Sequence, residues 1–69
     1  MPKYPEIHVN VEKSGPTGNA FVIISNVWRG LKKAGVPQEE IDTFIAEARA
    51  SDYDALLAVC GEWVDMFII

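Results

Sequence analysis

The sequence predicts an α+β fold in which a short N-terminal strand precedes three packed helices, and it allows a second short strand at the C-terminus. The first observation behind this prediction is a change of hydrophobic period. Apolar and polar residues alternate over residues 6–12, as in a strand with one buried face, whereas after residue 19 apolar residues recur with the helical period. The second observation is a turn rich in glycine and proline over residues 15–19, where the period changes. The 69 residues fit a single domain with one modest core.

The predicted strand covers about residues 6–12. Its apolar positions, Ile7, Val9 and Val11, would face the core. The other positions would form a polar surface: Glu6, His8, Asn10 and Glu12. A lone strand leaves backbone amides and carbonyls unpaired, so it needs a partner. Three partners remain open, namely the C-terminal tail, residues 21–25, or the same strand of a second copy.

The first predicted helix covers about residues 19–34. One stripe along it is apolar: Ala20, Ile24, Val27, Leu31 and Ala34. Asn19 or Thr17 would cap its start, and Gly35 would end it in the left-handed conformation. The run over residues 21–25 is also strand-prone and favours a rival structure, a hairpin with residues 6–12. We expect the helix.

Two further helices are predicted over about residues 37–50 and 52–65. Pro37 suits the first helical position, and the carboxylates after it complement the positive end of the helix dipole. The apolar residues of the second helix recur at helical spacing: Ile41, Phe44, Ile45 and Ala48. A capping sequence at residues 51–54 begins the third helix, whose inward positions would be Tyr53, Leu56, Leu57, Cys60, Trp63 and Val64. The tail over residues 64–69 favours a strand more than a helix.

Composition argues against several classes of function. The chain is 49% hydrophobic and 23% charged, as a globular domain is, and its net charge of −4 disfavours nucleic-acid binding. No apolar run reaches the roughly 18 residues of a membrane-spanning helix, and the first residues lack the apolar core of a signal peptide. We therefore expect a cytoplasmic protein without nucleic-acid or membrane partners.

The reactive side chains are few. One cysteine and one histidine cannot build a disulfide framework or a structural zinc site within one chain, so no metal or cofactor is expected. Glu6 beside His8 is the one acid–base pair that the sequence offers, and a solvated strand face explains both residues better. Cys60 falls on an inward position, as a buried structural thiol would. We expect no enzymatic activity.

The turn over residues 15–20 is a candidate anion site. Gly18 and Asn19 stand where backbone amides and a helix N-terminus could meet a phosphate or carboxylate. It is not a P-loop, because no Gly-Lys-Ser/Thr sequence completes the motif. A turn followed by a helix cap explains the same residues.

Aromatic residues are the other candidate site. Phe21 and Trp28 lie seven residues apart at the edge of the apolar arc of the first helix. A domain this small has difficulty burying both together with Trp63, Phe67 and the two final isoleucines. Exposed aromatic surface marks interaction sites, so Phe21 and Trp28 join Gly18 and Asn19 as candidate binding residues.

Short segments spread over nearly the whole chain carry a resemblance to a known family. They are Tyr4–Ile7, Gly18–Phe21, Ala34–Val36, Glu39–Asp42, Phe44, Glu47–Ala48, Asp52–Asp54, Leu56–Leu57 and Trp63–Val64. On these residues the chain resembles a family of small uncharacterised proteins encoded by bacteriophages and prophages. Residues 13–17 and 66–69 depart from the family pattern. The resemblance implies a phage origin and the cytoplasm of a bacterial host, and it transfers no catalytic residue.

Together these observations predict a small non-enzymatic protein of phage type that acts through protein–protein interaction. Its partner would be a host protein or a second copy of the chain. The alternative is a module that binds a small ligand or anion through the Gly15–Ala20 turn.

Overall fold

The computed structural model describes residues 2–15 and 18–69, and it confirms the α+β fold class. The elements follow one another as β1 (Tyr4–Val11), α1 (Ala20–Lys33), α2 (Gln38–Arg49), α3 (Tyr53–Trp63) and β2 (Val64–Ile68). β1 begins two residues earlier than predicted, and each helix is slightly shorter. Thr17, one of the two predicted caps, lies outside the described residues.

The two strands form a parallel sheet, in which Val9 lies opposite Met66 and Val11 opposite Ile68. The C-terminal tail is therefore the partner of the N-terminal strand, and residues 21–25 are helical. A parallel pair needs a long crossover, which the three helices supply. The pairing has an irregularity between Tyr4 and His8.

The predicted third helix was too long at its C-terminal end. It ends at Trp63, because Val64 adopts an extended backbone (φ −135°, ψ 165°) and pairs with Tyr4 of β1. Val64 is buried as expected, but as the first residue of β2. At the other end of α3 the cap is Asp52, one residue after the Ser51 that the sequence predicted. Asp52 accepts a hydrogen bond from the Ala55 amide at 2.8 Å, whereas the Ser51 hydroxyl donates to the Glu47 carbonyl at the end of α2.

The buried stripe of α1 is rotated from the predicted one. Ile23, Val27 and Leu31 are fully buried, whereas Ile24 is half-buried and Ala34 is exposed. The reason is the close approach of α1 to β1 at Gly30, where an added Cβ would lie 2.8 Å from Ile7 Cγ2. This contact turns the side of the helix that carries Ile23 towards the sheet.

The core lies between the helices and one face of the sheet. From β1 it takes Ile7, Val9 and Val11, while the intervening residues of that strand are exposed. From the helices, β2 and the connection between α1 and α2 it takes Ile23, Val27, Leu31, Val36, Ile41, Phe44, Ala48, Leu56, Cys60, Trp63 and Val64. Of the other predicted inward positions, Tyr53, Leu57 and Ile45 are half-buried. In the described part of the chain, no helix is long and apolar enough to cross a membrane.

Candidate functional site

Phe21 is the most exposed large hydrophobic residue that the structure describes. Its side chain is 82% exposed, although it lies in the first turn of α1. Asn19 fixes this turn, because its side-chain Oδ1 accepts a hydrogen bond from the Phe21 amide at 2.9 Å. The ring is thus carried by a capped helix, and it faces water without covering the core.

Trp28 lies two helical turns further along α1 and is 36% exposed. The Nζ atom of Lys32 lies 5.1 Å from the centroid of its ring, which is cation–π distance. Helical spacing places Phe21, Ser25, Trp28 and Lys32 along one line, and all four are exposed. We call these four residues the α1 aromatic face.

A pocket of about 330 Å³ adjoins this face at Phe21. Its apolar walls come from Ala20, Ile24 and Leu56, and its polar rim includes Arg49, Tyr53 and the carboxylate of Asp52. No carboxylate of the described residues lies within salt-bridge distance of the Arg49 guanidinium. The pocket therefore combines an apolar interior with a rim that carries both the Arg49 cation and the Asp52 carboxylate, so a ligand carboxylate would have to lie on the Arg49 side.

In the turn before α1, backbone amides form hydrogen bonds with carbonyls of the chain itself. The Gly15 amide donates to the Glu12 carbonyl at 2.9 Å, and the Gly18 amide donates to the Gly15 carbonyl at 3.1 Å. The Gly18 carbonyl accepts a hydrogen bond from the Tyr53 hydroxyl at 2.5 Å. In the described part of the turn, Gly18 and Asn19 therefore act in the turn and the helix cap, and Gly18 is joined to the pocket wall.

Gly18 is buried, and a side chain has no room there. An added Cβ would lie 2.5 Å from the Lys13 carbonyl oxygen and would also collide with the carbonyl of Glu12. Both atoms belong to the backbone, so they cannot move aside cheaply. The glycine allows the turn to pack directly on the chain that leaves β1.

His8 lies on the outer face of the sheet, as the alternation predicts, but its partner is on β2. Its Nδ1 is 2.7 Å from Asp65 Oδ2, and both side chains are exposed. The predicted neighbour Glu6 forms no such pair with it among the described residues. An exposed contact of this kind contributes about 0–1 kcal/mol to stability.

Cys60 is fully buried in the core. Burial raises the pKa of its thiol to about 11, so the group is protonated and weakly nucleophilic at neutral pH. Within residues 2–15 and 18–69, no three histidine, cysteine or acidic side chains lie close enough together to hold a metal ion.

The remaining aromatic and C-terminal residues divide between the core and the surface. Trp63 is 2% exposed, packs edge-on against Phe44 at 5.8 Å between centroids, and donates through Nε1 to Glu47 at 3.3 Å. Phe67 and Ile69, in contrast, are mostly exposed. The surplus of aromatic residues thus lies on two surfaces, one on α1 and one on β2.

Comparison of the chain with models of known protein families, with curated proteins and with solved structures found no match. The resemblance to small phage-encoded proteins stays a prediction, and the candidate site is supported by the geometry described above.

Proposed function

We propose that this protein is a non-enzymatic binding protein that contacts another protein through the α1 aromatic face. The observation that carries the proposal is Phe21, a phenyl ring 82% exposed on a capped helix beside a pocket. Burying such a ring lowers the free energy by about 1.5–3 kcal/mol, and in the folded chain alone the ring stays exposed. Large exposed apolar groups on rigid elements are typical of contact sites.

The surroundings of Phe21 support a protein partner. The pocket gives room for one apolar side chain, while Phe21 and Trp28 offer flat rings for the surface around it. Lys32 lies over Trp28, and α1 ends in the basic pair Lys32 and Lys33. We therefore expect a partner surface with an apolar centre and an acidic rim on the side of Trp28.

We also propose that the protein works in the cytoplasm of a bacterial host. The support is the resemblance to phage-encoded proteins and the single buried thiol, which needs no oxidising compartment. The net charge of −4 makes a protein a better partner than nucleic acid. Host proteins are therefore the first place to look for the partner.

The experiment is quantitative capture from bacterial lysate with tagged wild-type protein and three single variants. Phe21→Ala and Trp28→Ala should each lower the captured amount by about tenfold or more, because they remove the central contacts. Phe67→Ala is the matched control, since it removes an exposed phenyl ring from the other surface and should leave capture unchanged. Equal capture by all four proteins, or no specific capture by the wild type, would contradict the proposal.

A second candidate function is binding of a small carboxylate in the pocket beside the turn. Arg49, without an ion-pair partner among the described residues, is the observation that favours it. Benzoate is a suitable probe, because its ring fits an apolar interior and its carboxylate can pair with the guanidinium. Titration should shift the amide NMR signals of Gly18, Asn19 and Ala20, and Arg49→Gln should abolish the shifts. Unmoved signals in the wild type would exclude this ligand class for the pocket.

A further inference from the structure

Among residues 2–15 and 18–69, no strand pairs with the outer edge of β2 in the two-stranded sheet, and we call this the open edge. Ile69 directs both of its backbone groups towards the first strand, since its amide donates to Val11 at 2.8 Å and its carbonyl accepts from Lys13 at 3.2 Å. Neighbouring residues of a strand point their backbone groups in opposite directions. Met66 and Ile68 therefore direct their amides and carbonyls away from β1, and such a row is a template for another strand.

The opposite edge of the sheet, on β1, is protected over its N-terminal half. Pro5 lies within β1, Glu6 is exposed, and the pairing is irregular between Tyr4 and His8. Proline, charge and irregular backbone are the features that keep sheet edges from pairing. β2 contains no proline, and its one charged residue, Asp65, is already in contact with His8 at 2.7 Å.

The side chains of β2 are suited to pairing. Phe67 is 63% exposed and Ile68 is 43% exposed, although both lie in a regular strand. The segment from Val64 to Ile69 has one charge, no proline and high strand propensity, and segments of this composition pair with one another readily.

We infer that β2 pairs in antiparallel fashion with β2 of a second copy of this chain, about a two-fold axis at Met66. The two sheets would then join into one of four strands. In this register Met66 faces its own counterpart, Val64 faces Ile68 of the second copy, and Asp65 faces Phe67 of the second copy. The inference does not depend on the α1 aromatic face, which is a different surface.

A second copy fits this edge better than an unrelated strand for two reasons. The segment is self-complementary, because every inward-facing apolar residue meets another apolar residue and each Asp65 keeps its own His8. Pairing also leaves only the two β1 edges at the outside of the four-stranded sheet, and the proline, charge and irregularity in their N-terminal halves disfavour growth beyond the dimer. One short strand per copy buries less than the roughly 800 Å² per partner of a standard interface, so we expect micromolar or weaker affinity.

Sedimentation velocity over a concentration series tests the inference. The sedimentation coefficient of the wild type should rise with concentration towards that of a dimer. Ile68→Lys should stay monomeric at every concentration, because lysine on an edge strand opposes pairing. Ser25→Lys adds the same charge on α1 and should associate like the wild type, as should Phe21→Ala. Circular dichroism checks that each variant keeps its helices.

Amide hydrogen exchange of the wild type supplies a readout that needs no variant. The Met66 and Ile68 amides should exchange at least about tenfold more slowly at high than at low protein concentration. The Ile69 amide, already bonded to Val11, should change much less. A wild type that stays monomeric with concentration-independent exchange would overturn the inference. Association abolished by Phe21→Ala but not by Ile68→Lys would overturn it equally, because the contact would then lie on α1.

Discussion

Gly18 joins three parts of the molecule at a single residue. Its amide closes the turn, its carbonyl holds the Tyr53 hydroxyl of α3, and its Cα packs on the backbone that leaves β1. The sequence alone also allowed an anion site here, because glycine near a helix N-terminus is found both in anion sites and in turns that lead into a helix cap. The sequence pattern could not reveal the two contacts of Gly18. Tyr53 is distant from it in sequence, and the approach to the Lys13 carbonyl depends on the path of the backbone.

A Gly18→Ala substitution tests this structural role. We expect it to lower the free energy of unfolding by about 2 kcal/mol or more, since the new Cβ would lie 2.5 Å from the Lys13 carbonyl oxygen. Gly61→Ala is the matched control, because Gly61 lies in α3 with nothing within 4 Å of an added Cβ. That change should stabilise the helix by about 0.5–1 kcal/mol. Urea unfolding measures both values, and an unaffected Gly18→Ala would contradict the role assigned to Gly18.

At the scale of elements, periodicity and capping residues predicted the type of every element, while packing decided their faces. Asn19 is a cap that the sequence signals, whereas Asp52 caps α3 in place of the predicted Ser51, and both accept amide hydrogen bonds. The buried face of α1 includes Ile23 because Gly30 packs closely against Ile7 of β1. This is a contact between two elements, which a local sequence pattern does not show.

The same limit applies to the site. The exposure of Phe21 follows from its place at the edge of an apolar arc, which the sequence shows. The pocket beside it is different, because α1, the end of α2 and the start of α3 each supply part of its wall. Arg49 therefore gave no sequence signal. The pair between His8 and Asp65 was equally hidden, since it forms only after the tail is known to pair with β1.

At the scale of the whole molecule, the sheet pairs the first element of the chain with the last, and the three helices form the connection between them. β1 and β2 lie side by side, and Val64 at the start of β2 is fully buried against the core. Trp63, the residue before it, packs on both Phe44 of α2 and Tyr4 of β1. The helices and the sheet therefore share one core, and we expect them to unfold in a single cooperative transition.

Val64→Ala tests this coupling. Loss of two buried methyl groups should lower the free energy of unfolding by about 2 kcal/mol. Because the core is shared, the helical signal in circular dichroism and the fluorescence of Trp63, followed in a Trp28→Phe background, should both shift to the same lower urea midpoint. Phe67→Ala in that background is the control, since its side chain is 63% exposed and its loss should change the midpoint little. Helices that keep the original midpoint while the Trp63 signal shifts would show that the sheet and the helical layer unfold separately.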